Sequence, residues 1–244
     1  MEKLYRKNEL VFSLIWIAFY VVLFSVADAM SESIGIVKII TLPVALVFVL
    51  LIAAFIRKNR LWKYYGLCHF NSKKYSHYLY FIPLVVIASA NLWNGVVLRY
   101  SAFETVLYIA SMFCVGFIEE LIFRGFLFKA IEKKNIKTAI IVSSVTFGLG
   151  HIVNLLNGAA ILPTVLQIIY AIAIGYLFTV FFIKSQNLIP CIITHGTLNA
   201  LNVFAVEGGI TYQLICVVVS TIVSLGYALY LNVNVPAAKE QVTD

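Results

Sequence analysis

The sequence predicts an all-α, polytopic membrane protein, and three observations carry that prediction. Hydrophobic residues make up 62% of the chain and charged ones only 12%, against about 25% charged in an ordinary soluble domain. The apolar residues gather into runs of roughly 20, the length of a helix that crosses a hydrocarbon core about 30 Å thick. These runs lack the polar–apolar alternation of barrel strands. One membrane domain, residues 1–244, with about eight transmembrane helices, accounts for the whole length.

Residues 1–9 carry Lys3, Arg6 and Lys7, and the run Leu10–Ala27 follows. It is longer than the apolar core of a signal peptide, so despite the small residues of Ala27-Asp28-Ala29 it reads as a retained first helix. Asp28 to Gly35 then forms a turn into the second run, Ile36–Ile56. Residues 57–77 set Arg57, Lys58, Arg60, Lys63, Lys73 and Lys74 among Trp62, Tyr64, Tyr65, Phe70 and Tyr75. Rings beside cations suit the headgroup layer, so this basic-aromatic loop is expected along the cytoplasmic membrane surface. His69 and His77 within it have no carboxylate beside them and read as surface residues. The third run, Tyr78–Leu98, holds Asn91 and Asn94 one turn apart, directed at other helices. The fourth runs from Phe103 to about Ala130, the fifth from Thr138 to Leu156, the sixth from Leu162 to Ile183, the seventh from Leu188 to Val206 and the eighth from Tyr212 to Leu231.

Eight crossings put both termini on one side. Of the 18 lysines and arginines, all but Lys38, Arg99 and Arg124 fall on that side, so the positive-inside rule makes both termini and the basic loops cytoplasmic, with the plasma membrane as the expected location. The net charge of +7 thus encodes orientation. No basic stripe with interleaved aromatics stands apart from the membrane-flanking loops, which argues against a nucleic-acid partner. Cys68, Cys114, Cys191 and Cys216 form no C-x-x-C pair and read as small buried thiols. Cys114 precedes Glu119 by five residues, about 140° round a helix from it, which separates the two.

The organising stretch lies in the fourth run. Gly116-Phe117-Ile118-Glu119-Glu120-Leu121-Ile122-Phe123-Arg124-Gly125 places two carboxylates and a guanidinium where each charge costs roughly 2.5 to 3.5 kcal/mol on the mildest scale. Residues four apart share a helix face, so Glu120 and Arg124 can neutralise each other, whereas Glu119 is turned about 100° away and is left over. An unpaired carboxylate among apolar side chains must be protonated or held by another helix. Two histidines are placed to hold it. Counting 1.5 Å per residue from the cytoplasmic helix ends puts Glu119 roughly 16 Å deep, His151 roughly 20 Å and His195 roughly 15 Å. Phe147 shares a face with His151, and Asn199 with His195.

A carboxylate beside an imidazole can take a proton from water, while a second imidazole and an amide can donate hydrogen bonds to a developing oxyanion. That set describes peptide-bond hydrolysis without a covalent intermediate. Other protease chemistries lack their residues: the only aspartates are Asp28 and Asp244, and there is neither an H-E-x-x-H helix nor a G-x-S-x-G elbow. Glu119, His151 and His195 also form a two-histidine, one-carboxylate set for zinc, so a zinc-dependent hydrolysis stands beside the metal-free one. A proton-coupled transporter would likewise place Glu, His and Arg in the membrane, but the first half of the chain shows no pattern matching the second. A non-enzymatic peptide-binding or immunity protein is the third class.

Three motifs in order then resemble the CAAX prenyl protease and bacteriocin-processing family of intramembrane glutamate proteases. Glu119-Glu120-Leu121-Ile122-Phe123-Arg124 is similar to its E-E-x-x-x-R motif, Phe147-Gly148-Leu149-Gly150-His151 to F-x-x-x-H, and His195-Gly196-Thr197-Leu198-Asn199 to H-x-x-x-N. The resemblance covers about residues 103–205, the expected catalytic core. It implies that Glu119 and His151 activate the water, that His195 and Asn199 form the oxyanion hole, and that Glu120, Arg124 and Phe147 support the site without a cofactor. It also implies a protein or peptide substrate at the bilayer, prenylated or otherwise lipidated in some relatives. Entry of that substrate is expected from the cytoplasmic leaflet.

Overall fold

A computed structural model describes residues 1–67 and 81–235 of the chain. Residues 68–77 of the expected basic-aromatic loop, with Cys68, His69 and His77, lie outside the described residues, as does the start of the third run. A short helix α1 (Glu2–Lys7) leads into α2 (Glu9–Ile34). Asn8 opens α2 by accepting a hydrogen bond from the Val11 N–H at 3.0 Å, which satisfies one of the amides left free at a helix start. The helix runs past the expected boundary at Ala27 and stops at Gly35, whose φ of 79° suits a residue without a side chain. The hairpin turn is therefore 35–40, and α3 (Thr41–Lys58) returns from it.

After α4 (Phe81–Ala88) the chain turns through a 3-10 segment, Ala90–Leu92. Ser101 and Glu104 form a reciprocal capping box that starts α5. This helix begins as Ala102–Glu120, widens into a π turn over Leu121–Leu127 and ends as Phe128–Glu132. Helix α6 opens on Asn135, whose side chain accepts from the Thr138 N–H at 3.0 Å. It runs from Ile136 to Leu149 and finishes through Gly150–Ile152 and Val153–Leu156. Helices α7 (Ile161–Ser185), α8 (Ile189–Leu201) and α9 (Ile210–Asn234) complete the bundle.

The protein is all-α and polytopic. Among the described residues six helices are long and apolar enough to cross a membrane: α2, α3, α5, α6, α7 and α9. The third and seventh expected crossings correspond to shorter pieces. The described part of α4 has 8 residues. Helix α8 has 13, or about 20 Å at 1.5 Å per residue, because its apolar run leaves the helix at Asn202–Phe204 to form a 3-10 turn. The two asparagines of the third run do address other elements: Asn91 Nδ2 donates to the Leu198 carbonyl at 2.6 Å and Asn94 Nδ2 to that of Val206 at 3.4 Å.

Helices α5 and α7 are the inner pair, with 56% and 61% of their most apolar stretches buried against 28–33% for the other four. Around them, α2 and α3 pack on one side of α5, α6 and α9 flank α7, and α8 lies against α5. The floor of the bundle is aromatic: Phe126 has Phe12 at 5.1 Å, Tyr65 at 5.3 Å and Trp16 at 6.2 Å between ring centroids. Edge-on contacts at these separations add to the area buried.

The two ends of the bundle differ in charge. One end gathers α1, the chain after α3, the α5–α6 turn and the α7–α8 turn, tied by Lys133 to Glu9 at 2.7 Å, Lys58 to Glu2 at 3.0 Å and the Leu188 N–H to the Gly66 carbonyl at 2.9 Å. Among the described residues it holds every lysine but Lys38. The other end carries Lys38 paired to Asp28 at 2.7 Å and Arg99 paired to Glu207 at 2.9 Å, together with Glu32 and Glu104.

Candidate active site

The site is built where α8 is allowed unusually close to α5. A β-carbon placed on Gly116 would lie 2.7 Å from the Gly196 nitrogen and 2.9 Å from its Cα, and one on Gly196 would lie 2.7 Å from the Phe113 ring. Both distances are impossible for a real side chain, so glycine at each position is what brings His195, next in sequence to Gly196, against the two glutamates of α5. Immediately below, the π turn makes the helix wider than α geometry, a feature frequent at functional sites. All seven of its residues, including Arg124, are buried.

Glu120 and Arg124 meet as their spacing predicts. Arg124 Nη1 lies 3.1 Å from Glu120 Oε1, and both side chains are 0% exposed. The guanidinium also lies over the Phe147 ring, 4.1 Å from its centroid, and 5.8 Å from that of Phe178. Such cation–π contacts contribute about 2 kcal/mol when desolvated. They face a guanidinium whose Nε and Nη2 find no hydrogen-bond acceptor among the described residues. Gly175 makes room for this packing, since a β-carbon there would sit 3.0 Å from Arg124 Nη2 and 3.1 Å from Phe147. Phe147 has its other contacts with the histidines, edge-on to His195 at 5.5 Å and to His151 at 5.9 Å. This residue thus joins the ion pair to both imidazoles.

His195 is buried and stands between the glutamates. Its Nδ1 is 2.8 Å from Glu120 Oε1, and its Nε2 is 3.6 Å from Glu119 Oε2. Because a carboxylate only accepts, Nδ1 carries the proton toward Glu120. Nε2 then faces a second carboxylate oxygen. The other oxygen, Glu119 Oε1, accepts a hydrogen bond from the Tyr20 phenol of α2.

Glu119 and His151 both line a cavity of about 420 Å³. Tyr20, Phe147, Asn154 and Asn157 line it as well, and it reaches Asp28, Lys38 and Thr41. The far end of α6 bends into 3-10 geometry at Gly150–Ile152, and His151 lies within that bend. His195 sits behind the wall, reaching the cavity through Glu119. Asn199 lies one helical turn beyond His195, half-buried, and is not part of that wall. The structure therefore gathers Glu119, Glu120, Arg124, Phe147, His151 and His195 and leaves Asn199 to one side. Cys114 is absent from the cavity wall too.

Among the described residues no three His, Cys, Asp or Glu side chains are grouped to hold a metal ion, and His195 turns its two nitrogens toward two different carboxylates.

Tyr20 is the residue sequence reasoning passed over. It lies 99 positions from Glu119, in a run that resembles its surroundings in every compositional respect. A tyrosine in the middle of an apolar helix, away from the headgroup layer where such rings gather, is the one signal that pointed to it. Its phenol donates to the Glu119 carboxylate, so Tyr20→Phe is expected to lower kcat by about 10- to 100-fold, the equivalent of a charge-assisted hydrogen bond. Steady-state kinetics in reconstituted membranes measure this, and equal rates would deny Tyr20 a part in positioning Glu119.

The fold and this cluster define a polytopic helical membrane protein with an ionisable centre inside the bundle. Residues 100–201 match the model of the Rce1-like family, described as type II CAAX prenyl endopeptidase Rce1-like, which agrees with the family that the three motifs resemble. The match takes in α5 to α8 and every motif residue, and it supports a CAAX-type membrane endopeptidase in general. No curated protein and no solved structure matches the chain.

Proposed function

We propose that the chain is an intramembrane endopeptidase in which Glu119 and His151 activate a water for attack on a peptide bond. The observation that carries this reading is the position of Glu119: a carboxylate that accepts from Tyr20 and faces His195, on the wall of a cavity shared with His151. A water between Glu119 and His151 would lose a proton to one of them as it attacks the carbonyl carbon, and that proton would pass to the leaving amine. His195 is the donor nearest the charge that then develops on the carbonyl oxygen, with its Nδ1 held by Glu120 so that Nε2 faces the reaction. Asn199 belongs to this donor set in the proposal as the next residue on the same face of α8. Glu120, Arg124 and Phe147 hold His195 and His151 in place.

The reading takes residues 103–205 as the catalytic core, the basic end of the bundle as the cytoplasmic one, and the plasma membrane as the location. Its substrate is a membrane-associated protein or peptide, and the name of the matched family places prenylated polypeptides among the candidates. The test compares, by mass spectrometry, membrane and secreted peptides from cells bearing the wild-type chain or Glu119→Ala. New chain ends present only with the wild type are expected. Identical peptide sets from the two, together with undiminished cellular function of the variant, would leave a peptide-binding protein instead of an enzyme.

A further inference from the structure

A buried serine ties helix α6 to the widened turn of α5. The Ser143 hydroxyl, on a residue 0% exposed, donates to the Phe123 carbonyl at 2.9 Å. The same carbonyl accepts the Phe128 N–H five residues on, the bond that defines a π turn. A carbonyl oxygen has two lone pairs, and these two donors occupy them.

Spacing connects this bond to the site. Phe123 is four residues past Glu119 on α5, while Ser143, Phe147 and His151 recur every four residues and share a face of α6 until it tightens at Gly150. Between the serine bond and the Glu119–His151 pair stand Phe123 and Phe147, whose rings meet edge-on at 5.4 Å. Glu119, Phe123, Phe147 and His151 all line the one cavity, and Ser143 does not. A second face of α6 presses on α7, where a β-carbon on Gly148 would fall 2.9 Å from the Ile172 nitrogen. Such packing holds helices together and tolerates small slides along their axes, whereas a hydrogen bond weakens steeply once its geometry is lost.

We infer that Ser143 is a positioning residue for the hydrolytic centre: its bond to the Phe123 carbonyl fixes how far along α5 the helix α6 stands, and so fixes the gap between His151 and Glu119. The inference rests on these two residues activating the water. One water must lie within hydrogen-bond reach of both, about 2.6–3.2 Å, and a misplacement of about 1 Å costs about 100-fold in rate. A slide shorter than the rise of one helical residue, about 1.5 Å, is enough. Removing the hydroxyl leaves the Phe123 carbonyl its bond from Phe128, so no buried acceptor is stranded and the fold is expected to survive.

Wild type, Ser143→Ala, His151→Ala and the double variant are compared in reconstituted membranes, on a peptide spanning a cleavage site identified by the mass-spectrometric comparison. Ser143→Ala is expected to lower kcat about 10- to 100-fold in the wild-type background and to have no further effect once His151 is gone. An equal loss in both backgrounds, or no loss in the first, would overturn the inference. So would a Ser143→Ala chain that no longer elutes with the wild type from a sizing column, which would assign the serine to the fold. Nitrogen-15 spectra of labelled histidine read the same placement without turnover. The His151 signals, identified by their loss in His151→Ala, are expected to move in Ser143→Ala, and unmoved signals would also overturn it. Wild-type turnover by His151→Ala, with those signals still displaced by Ser143→Ala, would instead remove His151 from the proposed centre and leave the hold of the serine on α6 intact.

Discussion

Glu119→Gln, assayed after reconstitution into a membrane with a matched substrate, is expected to cut the cleavage rate by about 100- to 10,000-fold, the usual worth of a positioned general base. The substitution keeps the shape of the side chain and leaves an oxygen to accept from Tyr20, so the bundle around it need not move. What it removes is the ability to take a proton. It also removes the negative charge that faces His195 Nε2 across 3.6 Å. Undiminished turnover would eliminate Glu119 as the base and with it the reading of the cavity as a hydrolytic site.

The second large effect falls on stability. Arg124→Ala leaves Glu120 buried with its cation gone and opens a hole beneath Phe147, and a loss of about 3–5 kcal/mol is expected. Replacing both partners by apolar residues of similar size, Arg124→Met with Glu120→Leu, should recover most of that stability, because neither charge is then left uncompensated. Activity should stay low in the double variant, since His195 Nδ1 has lost the acceptor 2.8 Å away that sets its orientation. Unfolding in detergent followed by tryptophan fluorescence, alongside the cleavage assay, separates the two readouts. A double variant as unstable as the single one would show that packing against Phe147, and not charge compensation, carries the energy.

Much of this site was legible in the sequence for one physical reason: a charge in an apolar run is expensive, so its partners must also be polar and must lie at matching depth. That logic pairs Glu120 with Arg124 and brings His151 and His195 toward Glu119 before any coordinates are known. It says nothing of Tyr20, whose ring is at home among apolar residues and whose one polar atom carries no charge. It does not read the length of α8, because nothing in the apolar run marks where the helix gives way to the 3-10 turn at Asn202–Phe204. The π turn is equally silent, since nothing in the composition of Leu121 to Leu127 marks a wider helix.

The phenol of Tyr20 has one more consequence. It comes from α2, which lies wholly outside the segment that the family match covers, as do Asp28, Lys38 and Thr41 along the same cavity. A fragment trimmed to the matched segment would therefore keep every motif and yet present Glu119 to open lipid on one flank. In this protein the cavity is larger than the signature that marks it.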